Sequence, residues 1–135
     1  MTSWTGRADR LSTAAARWSP TGGRLLLGPV LAWFGYHELV QPSLWTGYVP
    51  LLSGSVLLVL LVLSHGWVLL MLAVTLVAGI AVRVAAAISA LLLLEIVTAL
   101  TLTNGLSDLV MRDVGVLGLA LSLTAASPQR LVLRR

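Results

Sequence analysis

Cysteine and lysine are both missing from this chain of 135 residues, so its nine basic residues are all arginine. Without thiols the chain cannot form disulfides, thiolate metal sites, iron–sulfur clusters or a thiol relay of its own. Charged residues of either sign are also scarce, at 10% of the sequence, whereas a soluble domain carries roughly a quarter. These absences exclude cysteine-based redox chemistry by this chain and argue against a water-soluble fold.

The short motifs that mark common enzyme classes are missing as well. The sequence contains no GxSxG, no glycine-rich phosphate loop, no HExxH and no Ser/His/Asp grouping. Its two histidines, His37 and His65, have no partner at a metal-ligand spacing. The sequence therefore predicts no metal site. It favours a non-catalytic role, although the absence of a motif does not exclude an enzyme within the membrane.

Apolar residues dominate the sequence, with 58% hydrophobic residues and a mean hydropathy of +0.96. A domain of 14.3 kDa is too small to hide several long apolar runs from water. Seventeen helical residues reach about 25 Å at 1.5 Å per residue, which is close to the thickness of the hydrocarbon core. We therefore predict an all-α integral membrane protein, a four-transmembrane-helix bundle. Its spans are predicted at residues 24–40, 66–82, 84–103 and 108–126.

A further apolar run covers residues 51–63 and is too short for a span of about 20 residues. We interpret it as an additional short re-entrant or interfacial helix on the outer side. In that interpretation Ser64-His65-Gly66 forms the hinge into the second span. The alternative is one long, tilted and kinked helix over residues 50–82, and the sequence leaves both open.

The arginines predict the orientation of the bundle. They concentrate in an N-terminal tail over residues 1–23, at Arg24 and Arg83, and in a C-terminal tail over residues 127–135. Basic residues next to apolar spans favour the cytoplasmic side and meet anionic lipid head groups. Four spans place eight of the nine arginines on that side. We therefore predict a protein of the cell membrane with both termini cytoplasmic, and we expect no nucleic acid as a partner.

Short local signals predict the connections outside the spans. Trp45 and Tyr48 lie in a proline-containing loop after the first span, where such residues typically anchor a helix end at the membrane interface. Asn104-Gly105 is a turn signal, and Ser107 or Asp108 can cap the helix that follows. The N-terminal tail is either a mobile polar segment or a short surface helix over residues 8–18.

Only a few ionisable side chains fall inside the predicted spans, and each costs about 2.5–3.5 kcal/mol on insertion scales. Two interpretations remain for them. They line an outward-facing pocket for a quinone headgroup, a proton path or a small polar ligand, or they form structural pairs, with Glu95 bonded to Arg112. His65 is interpreted as a hinge residue. The candidate site residues are His37, Glu38, Glu95, Arg112 and Asp113.

Several segments together resemble the DoxX-like family of small membrane proteins. The resemblance covers residues 24–126 in the order expected for that family. It implies a four-helix membrane bundle and a link to membrane sulfur and quinone redox systems. We expect no tightly bound cofactor, and quinone is the candidate ligand. The matching segments are Arg24–Gly28, Gly35–Leu39 with Pro42 and Trp45 behind it, Tyr48–Pro50, Gly79–Ala86 and Met111–Gly118.

The function predicted on this basis is that of a small non-catalytic accessory subunit of a larger membrane complex, of the redox or oxygenase type. The expected partners are the lipid bilayer and either larger membrane subunits or further copies of the chain. One alternative is a quinone-linked membrane oxidoreductase with an outward-facing polar pocket. Another is a small lipid or metabolite transporter, against which the absence of paired broken helices argues.

Overall fold

The computed structural model describes residues 2–48 and 56–126, and this part of the chain folds into five α-helices. The predicted all-α class is confirmed. Two of the helices, α3 and α4, are each 23 residues long and apolar enough to cross a membrane. The helices are α1 (Thr2–Val40), α2 (Pro42–Thr46), α3 (Val56–Ala78), α4 (Val82–Asn104) and α5 (Asp108–Ala125).

Helix α3 corrects one prediction. The separate short helix over residues 51–63 is wrong for its described part, because α3 runs without a break from Val56 through Ser64, His65 and Gly66. Residues 51–55 lie outside the described residues. In apolar surroundings each backbone N–H and C=O needs a partner within the helix, whereas a single interior glycine costs only about 1 kcal/mol. Continuing the helix therefore costs less free energy than breaking it. The alternative of one long helix over residues 50–82 agrees better with α3.

The four long helices run up and down in chain order, and the closest pairs are α1 with α3 and α4 with α5. Three contacts show that α1 and α3 are antiparallel: Arg24 meets Leu76, Gly35 meets Gly66, and Glu38 meets His65. Leucine and alanine fill the space between the helices. Its fully buried members include Leu27, Leu31, Leu69, Leu76, Ala86, Leu93 and Ala120.

The outward faces of α3 and α4 carry many large apolar side chains. In the most apolar stretch of α3, and likewise of α4, only 33% of the residues are buried inside the bundle. Among the exposed side chains are Met71 at 63%, Leu91 at 68% and Leu102 at 72%. A contiguous apolar surface of this kind is typical of contact with lipid or with other membrane helices.

Two arginines close helix ends at one pole of the bundle, which we call the arginine end. Arg24 of α1 is fully buried, and its Nη1 donates to the carbonyl oxygens of Leu76 at 2.8 Å and Val77 at 3.0 Å. Arg83 of α4 donates through Nε and Nη2 to the carbonyl oxygen of Ala126, just past the end of α5. The last carbonyls of a helix lack intrahelical partners and carry a partial negative charge. Both arginines therefore act as caps supplied by a neighbouring helix.

The connections between the helices are short. Between α3 and α4 the chain turns at Gly79 and Ala81, whose φ angles are 75° and 44°. The break between the two helices thus lies just before Arg83, where the second and third predicted spans meet. Ser107 caps α5, as predicted, because its Oγ accepts a hydrogen bond from the Val110 amide at 3.4 Å. The proline-containing loop predicted after the first span contains the short helix α2.

Helix α1 extends well beyond the bundle. The tail predicted at residues 1–23 and the span predicted at residues 24–40 belong to one helix from Thr2 onward. Residues 4–19 are all exposed, whereas Thr21 is only 2% exposed. We call residues 4–19 the arm, since they make up a helical segment outside the packed core.

Candidate ligand-binding cavity

The candidate site depends on a close approach between two helix backbones. A Cβ atom added to Gly35 would lie 2.6 Å from the carbonyl oxygen of Gly66, and one added to Gly66 would lie 3.0 Å from the carbonyl oxygen of Gly35. Glycines allow membrane helices to come this near. Glu38 lies one turn beyond Gly35, and His65 directly precedes Gly66. The glycine contact therefore brings these two polar side chains together.

Glu38 and His65 form an ion pair or hydrogen bond between α1 and α3. Nδ1 of His65 lies 2.8 Å from Oε2 of Glu38, and the side chains are 20% and 4% exposed respectively. With Glu38 as a carboxylate, which can only accept, the Nδ1–H of His65 donates this hydrogen bond. Nε2 of His65 is buried and makes no hydrogen bond within the described residues. An unpartnered buried nitrogen costs roughly 1–3 kcal/mol and calls for an explanation.

A cavity of about 300 Å³ lies beside this pair, at the pole opposite the arginine end. Its polar walls are formed by Glu38, His65, Ser64 and Glu95, and the aromatic side chains of Trp45 and Tyr48 contribute to its lining. The remaining wall is aliphatic. The aliphatic residues are Leu61, Val62, Val68, Leu92, Ile96, Ala99 and Leu100. A mainly apolar pocket of this size with a few polar groups is typical of a small-molecule site.

Two of the five candidate site residues line this cavity. Glu38 is buried in its wall, and Glu95 is an exposed residue of α4 that also contributes to the lining. The predicted interface anchors, Trp45 and Tyr48, are lining residues too. His37 is not part of the lining. Its Nδ1 lies 3.0 Å from the carbonyl oxygen of Trp33, and its ring packs on the Trp33 indole.

The other two candidates form a separate pair, which corrects the predicted bond between Glu95 and Arg112. Nε of Arg112 instead donates to Oδ1 of Asp113 at 2.9 Å, and the Asp113 side chain is 1% exposed. The Arg112 guanidinium also lies over the Phe34 ring, 5.1 Å from its centroid. This position over an aromatic ring of α1 is favourable for a cation–π interaction. The predicted cluster is therefore divided between two places in the bundle.

His65 is the residue of the site that the sequence interpretation missed. It was assigned to a hinge because no acidic residue lies near it in the sequence. The available signal was the glycine beside it, together with Gly35 one turn before Glu38. Two glycines on antiparallel helices, each near a polar residue, predict both a close approach and a buried polar pair.

Metal binding finds no support in the arrangement of ligand side chains. Within residues 2–48 and 56–126, no three histidine, aspartate or glutamate side chains are grouped closely enough to hold a metal ion. Glu38 and His65 form a pair, and a site with two protein ligands is below the usual three or four. The lining of the cavity consists of hydrogen-bonding groups and an apolar wall.

Comparison with protein-family models, with curated proteins and with solved structures gives no match to this chain.

Proposed function

We propose that the chain is a four-span membrane protein in which α1 from residue 24 onward and α5 cross beside α3 and α4. Support comes from the burial of their charges. Arg24, Glu38 and Asp113 of these two helices are 0%, 3% and 1% exposed. Asp108, in the first turn of α5, and Arg112, the partner of Asp113, are exposed. Charges within spanning helices are tolerated when they face the bundle interior and find partners there.

In this proposal the arginine end faces the cytoplasm and the cavity opens in the outer half of the membrane. Arg24 and Arg83 lie at that end, and the arginines of the arm, Arg7, Arg10 and Arg17, adjoin it, whereas Arg112 lies in the outer half. Reporter fusions after Trp45, Arg83, Gly105 and Arg135 test the orientation. We expect cytoplasmic signals after Arg83 and Arg135 only. An external signal after Arg135 would contradict the proposal.

We further propose that the cavity binds a quinone and that the chain serves as an accessory subunit of a larger membrane redox complex. The observation that carries this proposal is the pair of buried Glu38 and part-buried His65 in the wall of a mostly apolar cavity. The resemblance to the DoxX-like family points to the same ligand class. A bound quinone supplies the capacity to take up two electrons and two protons.

The residues of the cavity fit such a molecule. Its aliphatic and aromatic wall suits an isoprenoid-substituted ring, and Glu38, Ser64, His65 and Glu95 provide polar groups. Glu38 orients the His65 ring through Nδ1, and the buried Nε2 needs a polar partner. Nε2 of the neutral ring can accept a hydrogen bond from a quinol hydroxyl, whereas a quinone carbonyl oxygen can accept one from the Nε2–H of the protonated ring. Glu95 adds a second carboxyl group to the lining.

Photolabelling of the purified protein in lipid nanodiscs tests the binding. We expect an azido-ubiquinone analogue to label peptides that contain residues 61–68 or 92–100, and excess decylubiquinone to suppress this labelling. Leu92→Trp fills the cavity and is expected to reduce the labelling at least tenfold. Leu94→Trp is the matched control, because Leu94 lies on the same helix and is 51% exposed. Equal labelling of both variants would show that the quinone binds elsewhere or only dissolves in lipid.

Native sizing tests the accessory role. After gentle detergent extraction, we expect the chain to migrate in stoichiometric amounts with larger membrane subunits that mass spectrometry can identify. The absence of cysteine means that a thiol relay would have to come from such a partner. A monomer or homo-oligomer that reduces decylubiquinone unaided would instead favour the quinone-linked oxidoreductase.

A further inference from the structure

The arm carries a second amphipathic pattern that the bundle does not use. Its large apolar side chains, Trp4, Leu11 and Trp18, are spaced seven residues apart and are 77%, 66% and 46% exposed. At about 100° per residue, Ala8 and Ala15 fall on the same side. The five residues form one stripe about 80° wide along the helix. Trp4 and Leu11 are the most exposed large side chains of this stripe.

The charges of the arm are arranged around the stripe. Arg7, Arg10 and Arg17 all lie on one flank of it, and Asp9 is the single acidic residue of the segment. Three positive charges and one negative charge give the arm a net charge of +2. A helix with tryptophan on one face and arginine beside it is typical of helices that lie in the head-group region of a membrane.

The start of the bundle provides a place for the arm to bend. Pro20 has no N–H, so the carbonyl of Ala16 lacks its usual helical donor. Gly22 follows closely, and a Cβ atom there would meet nothing within 4 Å. Thr21 and Arg24, by contrast, are buried in the bundle. A change of direction at Pro20 therefore leaves the packed core intact.

We propose that the arm bends at Pro20 and lies flat on an anionic lipid surface, with its tryptophan stripe towards the acyl chains. The charge of the arm is complementary to that of anionic phospholipid, and arginines near such a surface are attracted to it. The arm adjoins the arginine end, so the surface is that of the cytoplasmic leaflet. This inference rests on the proposed membrane placement of the bundle.

Spin labelling can test the arm and the bundle separately, because the absence of cysteine makes single-cysteine variants clean. The full chain is labelled at Leu11→Cys on the stripe, at Thr13→Cys on the opposite face, or at Leu94→Cys on the outward face of α4. Each variant is reconstituted in phosphatidylcholine vesicles with and without 30 mol% phosphatidylglycerol. The measurement is the accessibility of the nitroxide to oxygen and to a water-soluble nickel chelate.

With phosphatidylglycerol, we expect the Leu11→Cys label to be at least threefold less accessible to the nickel chelate than the Thr13→Cys label. Replacing Arg7, Arg10 and Arg17 by glutamine should abolish that difference. If both arm labels stay equally accessible while the Leu94→Cys label is in lipid, the arm inference is wrong and the membrane placement stands. Dipolar broadening at Leu11→Cys would show pairing with a second copy and would also overturn it. A water-accessible Leu94→Cys label would contradict the proposed function itself.

Discussion

The two poles of the bundle both bury ionisable side chains, but they give them different partners. At the arginine end, Arg24 and Arg83 donate to main-chain carbonyls that terminate neighbouring helices. At the cavity end, Glu38 bonds to the side chain of His65, and a second carboxyl group, Glu95, lines the same space. The first arrangement completes the backbone, whereas the second joins side chains that both titrate.

This difference separates stability from binding. A main-chain carbonyl cannot gain or lose a proton, and its position is fixed by the helix, so the arginine caps have a structural role only. A carboxyl–imidazole pair can exchange a proton and can share its remaining hydrogen-bonding capacity with a ligand. We therefore expect substitutions at the arginine end to change the free energy of unfolding. Substitutions at the cavity end should mainly change quinone binding.

The largest expected effect is at Arg24. Arg24→Met keeps most of the apolar stem but removes two charge-assisted hydrogen bonds, which should lower the free energy of unfolding by about 2–4 kcal/mol. The measurement is an equilibrium unfolding titration in detergent micelles, followed by circular dichroism. Arg83→Met is the matched control, because this exposed cap should contribute less than about 1 kcal/mol. Equal losses in both variants would contradict a special role for the buried cap.

A slightly smaller loss is expected at the glycine contact. Gly35→Ala places a Cβ against the Gly66 backbone, where no flexible side chain can move aside, and should destabilise the protein by about 1–3 kcal/mol. The same change should separate Glu38 from His65 and weaken quinone photolabelling. Gly118→Ala is the control, since nothing lies within 4 Å of its added Cβ. There alanine should raise helix stability by about 0.5–1 kcal/mol. Neutral behaviour of Gly35→Ala would show that the two backbones are farther apart.

The charge pair on α5 predicts a measurable coupling. In a double-mutant cycle of Arg112→Gln and Asp113→Asn, we expect a coupling energy of about 0.5–2 kcal/mol in the free energy of unfolding. The cycle of Arg112→Gln with Glu95→Gln is the comparison, and its two effects should add. Coupling in the second cycle but not in the first would restore the pairing of Glu95 with Arg112 that the sequence predicts.

The smallest effect on stability is expected at Glu38. Glu38→Gln retains an oxygen that accepts the Nδ1 proton of His65, so unfolding should change by less than about 1 kcal/mol. The loss of the negative charge should nevertheless reduce quinone labelling several-fold, because the imidazole is no longer held beside a carboxylate. Unchanged labelling of this variant would show that the Glu38–His65 pair does not take part in quinone binding.

Local patterns predicted the parts of the fold that are decided locally. The Ser107 cap, the turn at Asn104-Gly105 and the break before Arg83 each depend on a few adjacent residues. The contact between Glu38 and His65 joins residues 27 apart on two helices, so it depends on how those helices pack. In the sequence, only Gly35 and Gly66 indicate where the two helices approach each other closely.

Two arginines illustrate why other polar contacts of the bundle could not be predicted. Arg24 was assigned only to the orientation of the first span, because its carbonyl partners lie 52 and 53 residues away. Arg112 and Asp113 are adjacent in a helix, where side chains point about 100° apart and do not normally face each other. The long arginine side chain overcomes that separation by turning towards Asp113 and the Phe34 ring.

The caps at the arginine end also imply an order of assembly. Arg24 precedes the end of α3 in the chain, and Arg83 precedes the end of α5. Each helix that needs an external donor is therefore synthesised after the helix that supplies it. When α3 completes its last turn during synthesis, α1 is already present to receive it, and α4 stands in the same relation to α5. A nascent chain can thus close each pair of helices in turn, without waiting for residues still to be made.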